Sequence, residues 1–306
     1  MKVVSYNIRF GLGLDNQINL HRIADAVRDA DIVSLQEIDR FWKRSAMADQ
    51  PKQLESLLKG YYSAYCPAFD VDASEAAPGG EILNRRRQFG PMLLSKWPIL
   101  SARSILLPQL PTHKVLGMAT GALEAVIDTS TCVLRVYSIH LSSASSTERC
   151  QQIDALLDVH HMIERCGKVM TMDNLPEDPV EAATYERMNW HNDEAQLPLP
   201  QHTLFTGDFN FSDDSAEYTR FLGDEDPVNG HGVIQGSLVD SWTVAPVTSG
   251  APLTWYPDPP DRPPVEPLRL DYCFVNTELA DHIVSAYIDY GATGSDHKPY
   301  WVEFDI

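Results

Sequence analysis

The chain has 306 residues, 43% hydrophobic and 22% charged, the make-up of an ordinary globular protein that can bury a large core without disulfide or metal staples. Its 24 Lys+Arg stand against 43 Asp+Glu, a formal charge of −19. Long duplex DNA is therefore a disfavoured partner, because binding it rests on basic side chains that neutralise phosphates.

Five widely spaced cysteines (Cys66, Cys132, Cys150, Cys166 and Cys273) with no CxxC pair argue against a zinc cluster or disulfide framework and for scattered thiols in a reducing compartment. No apolar run approaches the ~18 residues of a membrane span, so no transmembrane segment is expected. Met1-Lys2 leads directly into a core-like strand with no charged-then-apolar leader, which implies a cytoplasmic protein. Nothing points to an obligate protein partner.

In chain order, VVSYNIRFG opens as a short β-branched strand that Gly11 and Gly13 break. NLHRIADAVRDA carries Leu20, Ile23, Ala24 and Val27 at helical spacing, with Asn19 as N-cap. DIVSLQEID follows as a nearly continuous apolar run ending in acid, as a buried strand would. The first forty residues thus read strand–helix–strand.

A helix is predicted over 52–59, a loop over 67–88, and strands over 90–95, 118–128 and 132–141. A helix over about 147–166 is supported by Ile153, Leu156, Leu157, His160 and Ile163, with Ser146 or Thr147 as cap. Residues 170–201, with four prolines and an excess of acid, read as a long aperiodic insertion, the kind of segment that forms a lid. HTLFTGDFN returns to strand. Residues 245–268 are a proline-rich, non-helical loop. LRLDYCFVN and SAYIDYG are strands, and GSDHKPYWVEF closes the chain. No repeat or linker separates the halves, so one domain over 1–306 is expected.

Polar residues close several of the apolar runs: Asn7 after VVSY, Glu37 after IVSLQ, His140 after VLRVYSI, and Asp208 and Asn210 after TLFTG. Asp296 and His297 precede the final strand. One such residue is ordinary; the whole set is not. Hard cations such as Mg²⁺ and Mn²⁺ prefer carboxylate and carbonyl oxygens, which Glu37, Asp208 and Asp296 can supply. Asn7 and Asn210 can add amide oxygens to a metal or N–H donors to a phosphate. His140 and His297 can donate to phosphate oxygens or move protons near neutral pH.

The motifs SYNIRFG, LQEID, SIHLSS, TGDFNFSDD, LDYCFVN and GSDHKPYW resemble, in order and over nearly the whole chain, those of the endonuclease/exonuclease/phosphatase (deoxyribonuclease-I-like) superfamily. The pairing of GDFN with a distant SDHKP is the specific part. The resemblance implies a four-layer α/β sandwich, in which two packed, mixed, mostly antiparallel sheets are flanked by helices.

It also implies roles. Glu37 would be the principal metal ligand with Asn7 close by, Asp208 would orient or deprotonate the attacking water, and Asn210 would bind phosphate. Asp296 would hold metal directly or through water, and His297 would contact the scissile phosphate, oriented by Asp271 of LRLDY. The metal set so implied is Asn7, Glu37, Asp208, Asn210, Asp296 and His297. Histidine at 140, where abasic-site endonucleases usually have tyrosine, resembles the sphingomyelinase-like, deoxyribonuclease-I-like and phosphatase branches.

Arg85, Arg86 and Arg87 form a basic cluster that reads either as a solvated charge run or as a phosphate-capturing fork. Lys43-Arg44 follows the Glu37 strand and could reach substrate, whereas Lys96 reads as structural. Trp190 is the better pocket candidate among the tryptophans, and Trp242 and Trp255 read as packing in loops. His160, His161 and His191 read as satisfied core or surface histidines. The sequence therefore favours a metal-dependent hydrolase of a phosphomono- or phosphodiester of a small molecule or lipid head group. A nuclease acting on single strands, ends or adducts is the alternative, and a non-catalytic scaffold on the same fold the remote one.

Overall fold

The computed structural model describes residues 1–166, 176–188, 199–257 and 266–306. One sheet runs, edge to edge, through Thr248–Ser249, Ile283–Ile288, Tyr300–Phe304, Lys2–Asn7, Ile32–Arg40, Arg86–Ser95 and Tyr62–Tyr65, with Phe69–Asp72 paired to the start of Arg86–Ser95. The second runs through Leu238–Asp240, Asp271–Asn276, His202–Asp208, Val133–His140, Gly121–Asp128 and Ile99–Leu106. Both are mixed. Lys2–Asn7 pairs parallel with Ile32–Arg40, and Val133–His140 parallel with His202–Asp208, while most other pairs are antiparallel.

Alternation along the strands decides the layers. Val3, Ile32, Val136, Leu204, Val275 and Val302 point between the sheets. Their neighbours Val4, Val33, Leu35 and Trp301 point outward, under the helices Leu20–Val27 and Gln50–Leu57. On the far side, Tyr137, Ile139 and Phe205 pack with Ile153, Leu156 and Phe221 of Ser146–Cys166 and Ala216–Leu222. The result is the expected sandwich of helices, sheet, sheet and helices.

One rung nearer the carboxyl ends, the layer between the sheets turns polar. Ser5 and Ser34 are register partners in one sheet, Ser138 and Thr206 in the other. Ser34 Oγ lies 2.7 Å from Ser138 Oγ across the gap, and Gln36 Nε2 donates to Ser34 Oγ at 2.8 Å.

Several elements differ from the sequence reading. Residues 67–88 are not a loop but a β-arm. Phe69–Asp72 pairs with Arg86–Phe89, and a small hairpin, Glu75–Ala76 with Ile82–Leu83, turns at Pro78-Gly79-Gly80. Its strands are mostly exposed, so they carry no hydrophobic alternation to read. The insertion at 170–201 contains a helix, Pro179–Met188, whose first turn is capped by Asp178 accepting from Val180 N and Glu181 N at 2.9 Å. No residue of that helix is buried, hence its lack of a periodic signal; residues 170–175 and 189–198 lie outside the described residues.

The long helix is capped by Ser145, which accepts from Glu148 N at 3.1 Å, rather than by Ser146 or Thr147. The strand Ile99–Leu106 and the helix Ala216–Leu222 add to the reading. Cys66, Cys132, Cys150 and Cys273 are free thiols. Among the described residues no helix is long and apolar enough to cross a membrane.

Candidate active site

The same parity that fills the inter-sheet core puts polar groups at its end. Residues 3, 5 and 7 of the first strand face the gap, as do 204, 206 and 208, 136, 138 and 140, and 271, 273 and 275 of theirs. Asn7, His140, Asp208 and Asp271 are therefore the next rung after Ser5, Ser138, Thr206 and Cys273.

Glu37 needs a further device. In strict alternation it would follow Leu35 outward. The register with Arg86–Ser95 slips between Leu35 and Ile38, and Glu37 takes φ 62°. This bulge lets Gln36 and Glu37 both serve the inter-sheet side and returns Ile38 to the outer core. A left-handed non-glycine residue costs roughly 1–2 kcal/mol, so the surrounding pairing must impose it. Gly207 is the second local requirement. It has φ 151°, and a Cβ there would stand 2.0 Å from the Ile139 carbonyl oxygen. Only glycine lets the two parallel strands bring His140 and Asp208 into register.

Asp208 lies at the centre. Its Oδ2 accepts from Asn7 Nδ2 at 2.8 Å and stands 3.7 Å from both His140 Nε2 and His297 Nε2. Its Oδ1 accepts from Asn210 N at 2.9 Å. Asn7 Nδ2 also donates to Glu37 Oε1 at 3.1 Å, and Asn7 Oδ1 accepts from Arg9 N at 3.0 Å. His140 Nε2 is 4.0 Å from Glu37 Oε1. The 3.7–4.0 Å separations are too long for hydrogen bonds.

His297 Nδ1 is 2.8 Å from Asp271 Oδ2, so its Nε2 is the atom turned toward Asp208. Thr254 Oγ1 accepts from Leu270 N and Asp271 N at 3.0 Å each, fixing the start of that strand. Asp296 accepts from Trp255 Nε1 at 3.2 Å and faces Arg9 Nη1 at 3.6 Å. Asn210, at φ 53°, a conformation asparagine tolerates, donates from Nδ2 to Leu141 O at 3.0 Å.

Burial sets the electrostatics. It pushes the Asp208 carboxyl up to about 6, with Asp271 adding to the rise and His297, His140 and the Asn7 hydrogen bond opposing it. Burial also opposes charge on His297, but Asp271 and then Asp208 outweigh it and hold the imidazole up to about 10. His297 is thus an imidazolium at neutral pH, flanked by two carboxylates.

The donor set suits a hard cation. One nitrogen, Asn7 Nδ2, bridges Glu37 and Asp208, which marks where their negative charge converges. Glu37 keeps 23% of its side chain exposed against 2% for Asp208, so Glu37 is the carboxylate open to an arriving ion. Ligand atoms of Asp208, Asp271 and His297 also lie within 4.8 Å of one another. The 2.8 Å hydrogen bond already occupies His297 Nδ1 and Asp271 Oδ2, so that trio reads better as a dyad beside Asp208 than as a second nest.

Glu37, His140, Asp208, Asn210, Asp296 and His297 line one cleft of about 620 Å³, with Asn7 and Asp271 bonded just beneath. Arg9, Phe10, Arg44, Phe89, Leu116, Met118, Arg149, Trp255, Leu268 and Leu270 also line it, with Thr120, Ser142 and Ser143. Arg9 belongs to SYNIRFG and Arg44 follows the Glu37 strand, whereas Trp255 has no signal beyond its place in the 245–268 loop.

The Arg85–Arg87 cluster is not among the lining residues. Arg85 faces Glu75 at 3.4 Å, Arg86 binds Asp70 at 2.8 Å, and Arg87 Nε donates to Phe41 O at 3.3 Å. Lys96 pairs with Asp31 at 3.1 Å on the outer surface. Trp190 and His191 lie outside the described residues.

A sequence model of the Endonuclease/Exonuclease/phosphatase family matches residues 4–297, spanning the site from its first strand to His297. The chain belongs to the endonuclease/exonuclease/phosphatase family. Members of the family are hydrolases that act on phosphoesters and generally use divalent metal ions.

Solved structures agree in fold. A family protein from Bacteroides vulgatus matches at TM-score 0.62 and 18% identity, over 99% of this chain and 98% of that one. A mannosyl-6-phosphatase, Bt3783 from Bacteroides thetaiotaomicron VPI-5482, matches at 0.59 and 17%, over 100% of both. TDP2 from C. elegans matches at 0.58 and 16%, over 99% of this chain and 74% of that one. No curated protein matches the sequence.

Proposed function

We propose that this family member is a Mg²⁺- or Mn²⁺-dependent phosphoesterase that hydrolyses a phosphomono- or phosphodiester of a small molecule or lipid head group. The observation that carries the reading is the convergence of Glu37, His140, Asp208, Asn210, Asp296 and His297 on one cleft, with Asn7 and Asp271 locked beneath. Since both sheets supply this cleft, we read residues 1–306 as one catalytic domain. The unpaired thiols fit a cytoplasmic setting.

Glu37 would be the main ligand of the ion, with oxygens of Asp208, Asn210, Asn7 and Asp296 about the same cleft, whereas His297, its Nδ1 held by Asp271, would stay outside the ligand set; when bound, the ion would supply Lewis-acid charge to a phosphoryl oxygen. Asp208 orients the attacking water and takes its proton. That oxygen attacks phosphorus in line, and the bond to the leaving oxygen breaks on the opposite side, its electron pair staying on that oxygen, which takes up a proton from solvent. His297 donates from Nε2 to a non-bridging oxygen as charge builds there, because Asp271 holds Nδ1–H and favours the charged ring. Asn210 and His140 add donors to the same oxygens.

The test is a hydrolysis panel with EDTA, Mg²⁺ or Mn²⁺. Substrates are p-nitrophenyl phosphate, its bis ester, sugar and inositol phosphates, sphingomyelin-type lipids, and single- and double-stranded DNA. We expect metal-restored turnover of a small phosphoester that the His297→Ala variant lacks. Turnover confined to DNA would replace the substrate class, and turnover surviving EDTA would remove the metal.

A further inference from the structure

We propose that Arg44 anchors a second anion subsite in the cleft, so that the preferred substrate carries another anionic group, a phosphate or a carboxylate, beside the phosphoester that is cut. This rests on the phosphoesterase reading and narrows its substrate class.

Arg44 is held along one edge by hydrogen bonds and is packed among aromatic rings. Its Nε and Nη2 donate to Asp39 at 3.0 and 2.7 Å, and Ser45 Oγ donates to the same carboxylate at 2.9 Å. The guanidinium carbon lies 4.3 Å from the ring centroids of both Phe10 and Trp42 and 5.4 Å from that of Phe89. The Asp39 side chain is fully buried, whereas Arg44 keeps 36% of its own exposed and lines the cleft with Glu37, His140 and Asp208. The remaining nitrogen, Nη1, has no hydrogen bond to a described residue.

Neutralising Asp39 explains only one edge of that fork. The surrounding backbone is strained as well: Phe10, Phe41, Ala46 and Met47 all have φ between 46° and 57°. Buried Gln50 ties the parts together. Its Nε2 donates to Phe10 O at 2.7 Å, and its Oε1 accepts from Asp39 N at 2.9 Å. Strain of this kind persists where the structure over-determines a functional geometry.

A guanidinium fixed in advance loses little freedom when it binds an anion, and the Phe10, Trp42 and Phe89 rings packed around it shield part of it from water, which strengthens the attraction. The other cleft arginines are less suited. Arg9 faces Asp296, and all three side-chain nitrogens of Arg149 are engaged by Glu217 and the Ser142 carbonyl. Glu37, Asp208 and Asp296 would repel a second anion placed among them, so it must go to the Arg44 side.

The experiment is calorimetric titration of the full chain, with Mg²⁺, against three matched sets of non-hydrolysable probes. These are alkylphosphonates from ethyl to butyl, ω-phosphonocarboxylates, and alkylene bisphosphonates of the same lengths. At one length a doubly anionic probe should bind about tenfold tighter than its alkyl counterpart, the gain of one charge-assisted contact. Whether the carboxylate or the second phosphonate gives the larger gain identifies the group.

The Asp39→Asn/Arg44→Met double variant removes the pair without leaving a lone buried charge, and should lose that gain while still binding alkylphosphonates. Arg44→Lys, which keeps the charge but not the fork, should lose part of it. Equal affinity of the unmodified protein for all three sets overturns the proposal, as does a gain that survives undiminished in either variant. A uniform weakening of every probe in both variants would mean a purely structural Arg44. Failure of any alkylphosphonate to bind would instead remove the phosphoesterase reading itself.

Discussion

The two ends of the layer between the sheets are built from the same strands and differ in almost everything else. At one end Val3, Ile32, Val136, Leu204 and Val275 close an apolar core. At the other, two rungs along, Asn7, Glu37, His140, Asp208 and Asp271 crowd charge into a buried pocket. The hydroxyls of Ser5, Ser34, Ser138 and Thr206 lie between them. Stability and chemistry are thus separated along each strand, and a single parity serves both. The polar end is a cost to folding: burial disfavours the charge on Asp208, and Glu37 and Asn210 sit in left-handed backbone.

The largest expected effect breaks the polar end alone. Asp208→Asn should lower kcat roughly a thousandfold or more, the scale of losing a positioned base together with its charge. The melting temperature should equal or exceed that of the unaltered protein, because an amide in this buried place avoids the cost of charge. A large drop in melting temperature would show that the carboxylate is structural. The apolar end should answer in the opposite way. Leu204→Ala, fully buried between the sheets, should cost about 2–5 kcal/mol in urea unfolding and leave kcat per folded molecule within a factor of about two. A kcat loss as large as that of Asp208→Asn would mean that the two ends are mechanically coupled.

The separation also explains what the sequence made legible. Strand cores announce themselves by apolar runs, and the polar residue that closes each run announces the site, so Asn7, His140 and Asp208 could be read directly. Glu37 also closes its apolar run, but the bulge that turns it inward leaves no local signal: IVSLQEID reads as one smooth strand until the register slip is seen. Asp271 opens its strand rather than closing it, and only the family resemblance linked it to His297. Exposed elements were the blind spot. The arm over 67–88 and the helix Pro179–Met188 bury almost nothing, so neither produces a hydrophobic period. Charge density also misled. Three consecutive arginines lie outside the cleft lining, Arg85 and Arg86 paired along the arm and Arg87 with the Phe41 carbonyl, while Arg44 of the Lys43-Arg44 pair lines the cleft because the Phe41–Asp49 turn and the buried Asp39 carry it there.

A polar group in the outer core sharpens the comparison with a smaller effect. His160 lies on the buried face of the long helix, edge-on to Tyr137 and Phe205, with Nδ1 3.0 Å from Tyr137 OH. At the active site carboxylates hold a buried histidine charged; here burial first, then Arg135 and His161, push the imidazole down to about 3. The folded protein therefore refuses a proton that the unfolded chain accepts near pH 6.5. The stability from a neutral His160 is complete above pH 6.5 and is lost as pH falls toward 3, by at most about 5 kcal/mol. His160→Gln keeps a hydrogen-bonding group and cannot charge, so its urea midpoint should decline less steeply between pH 6.5 and 4, the slope differing by about one proton. Parallel slopes for the two proteins would place the acid sensitivity elsewhere, with the His297–Asp271–Asp208 cluster the next group to examine.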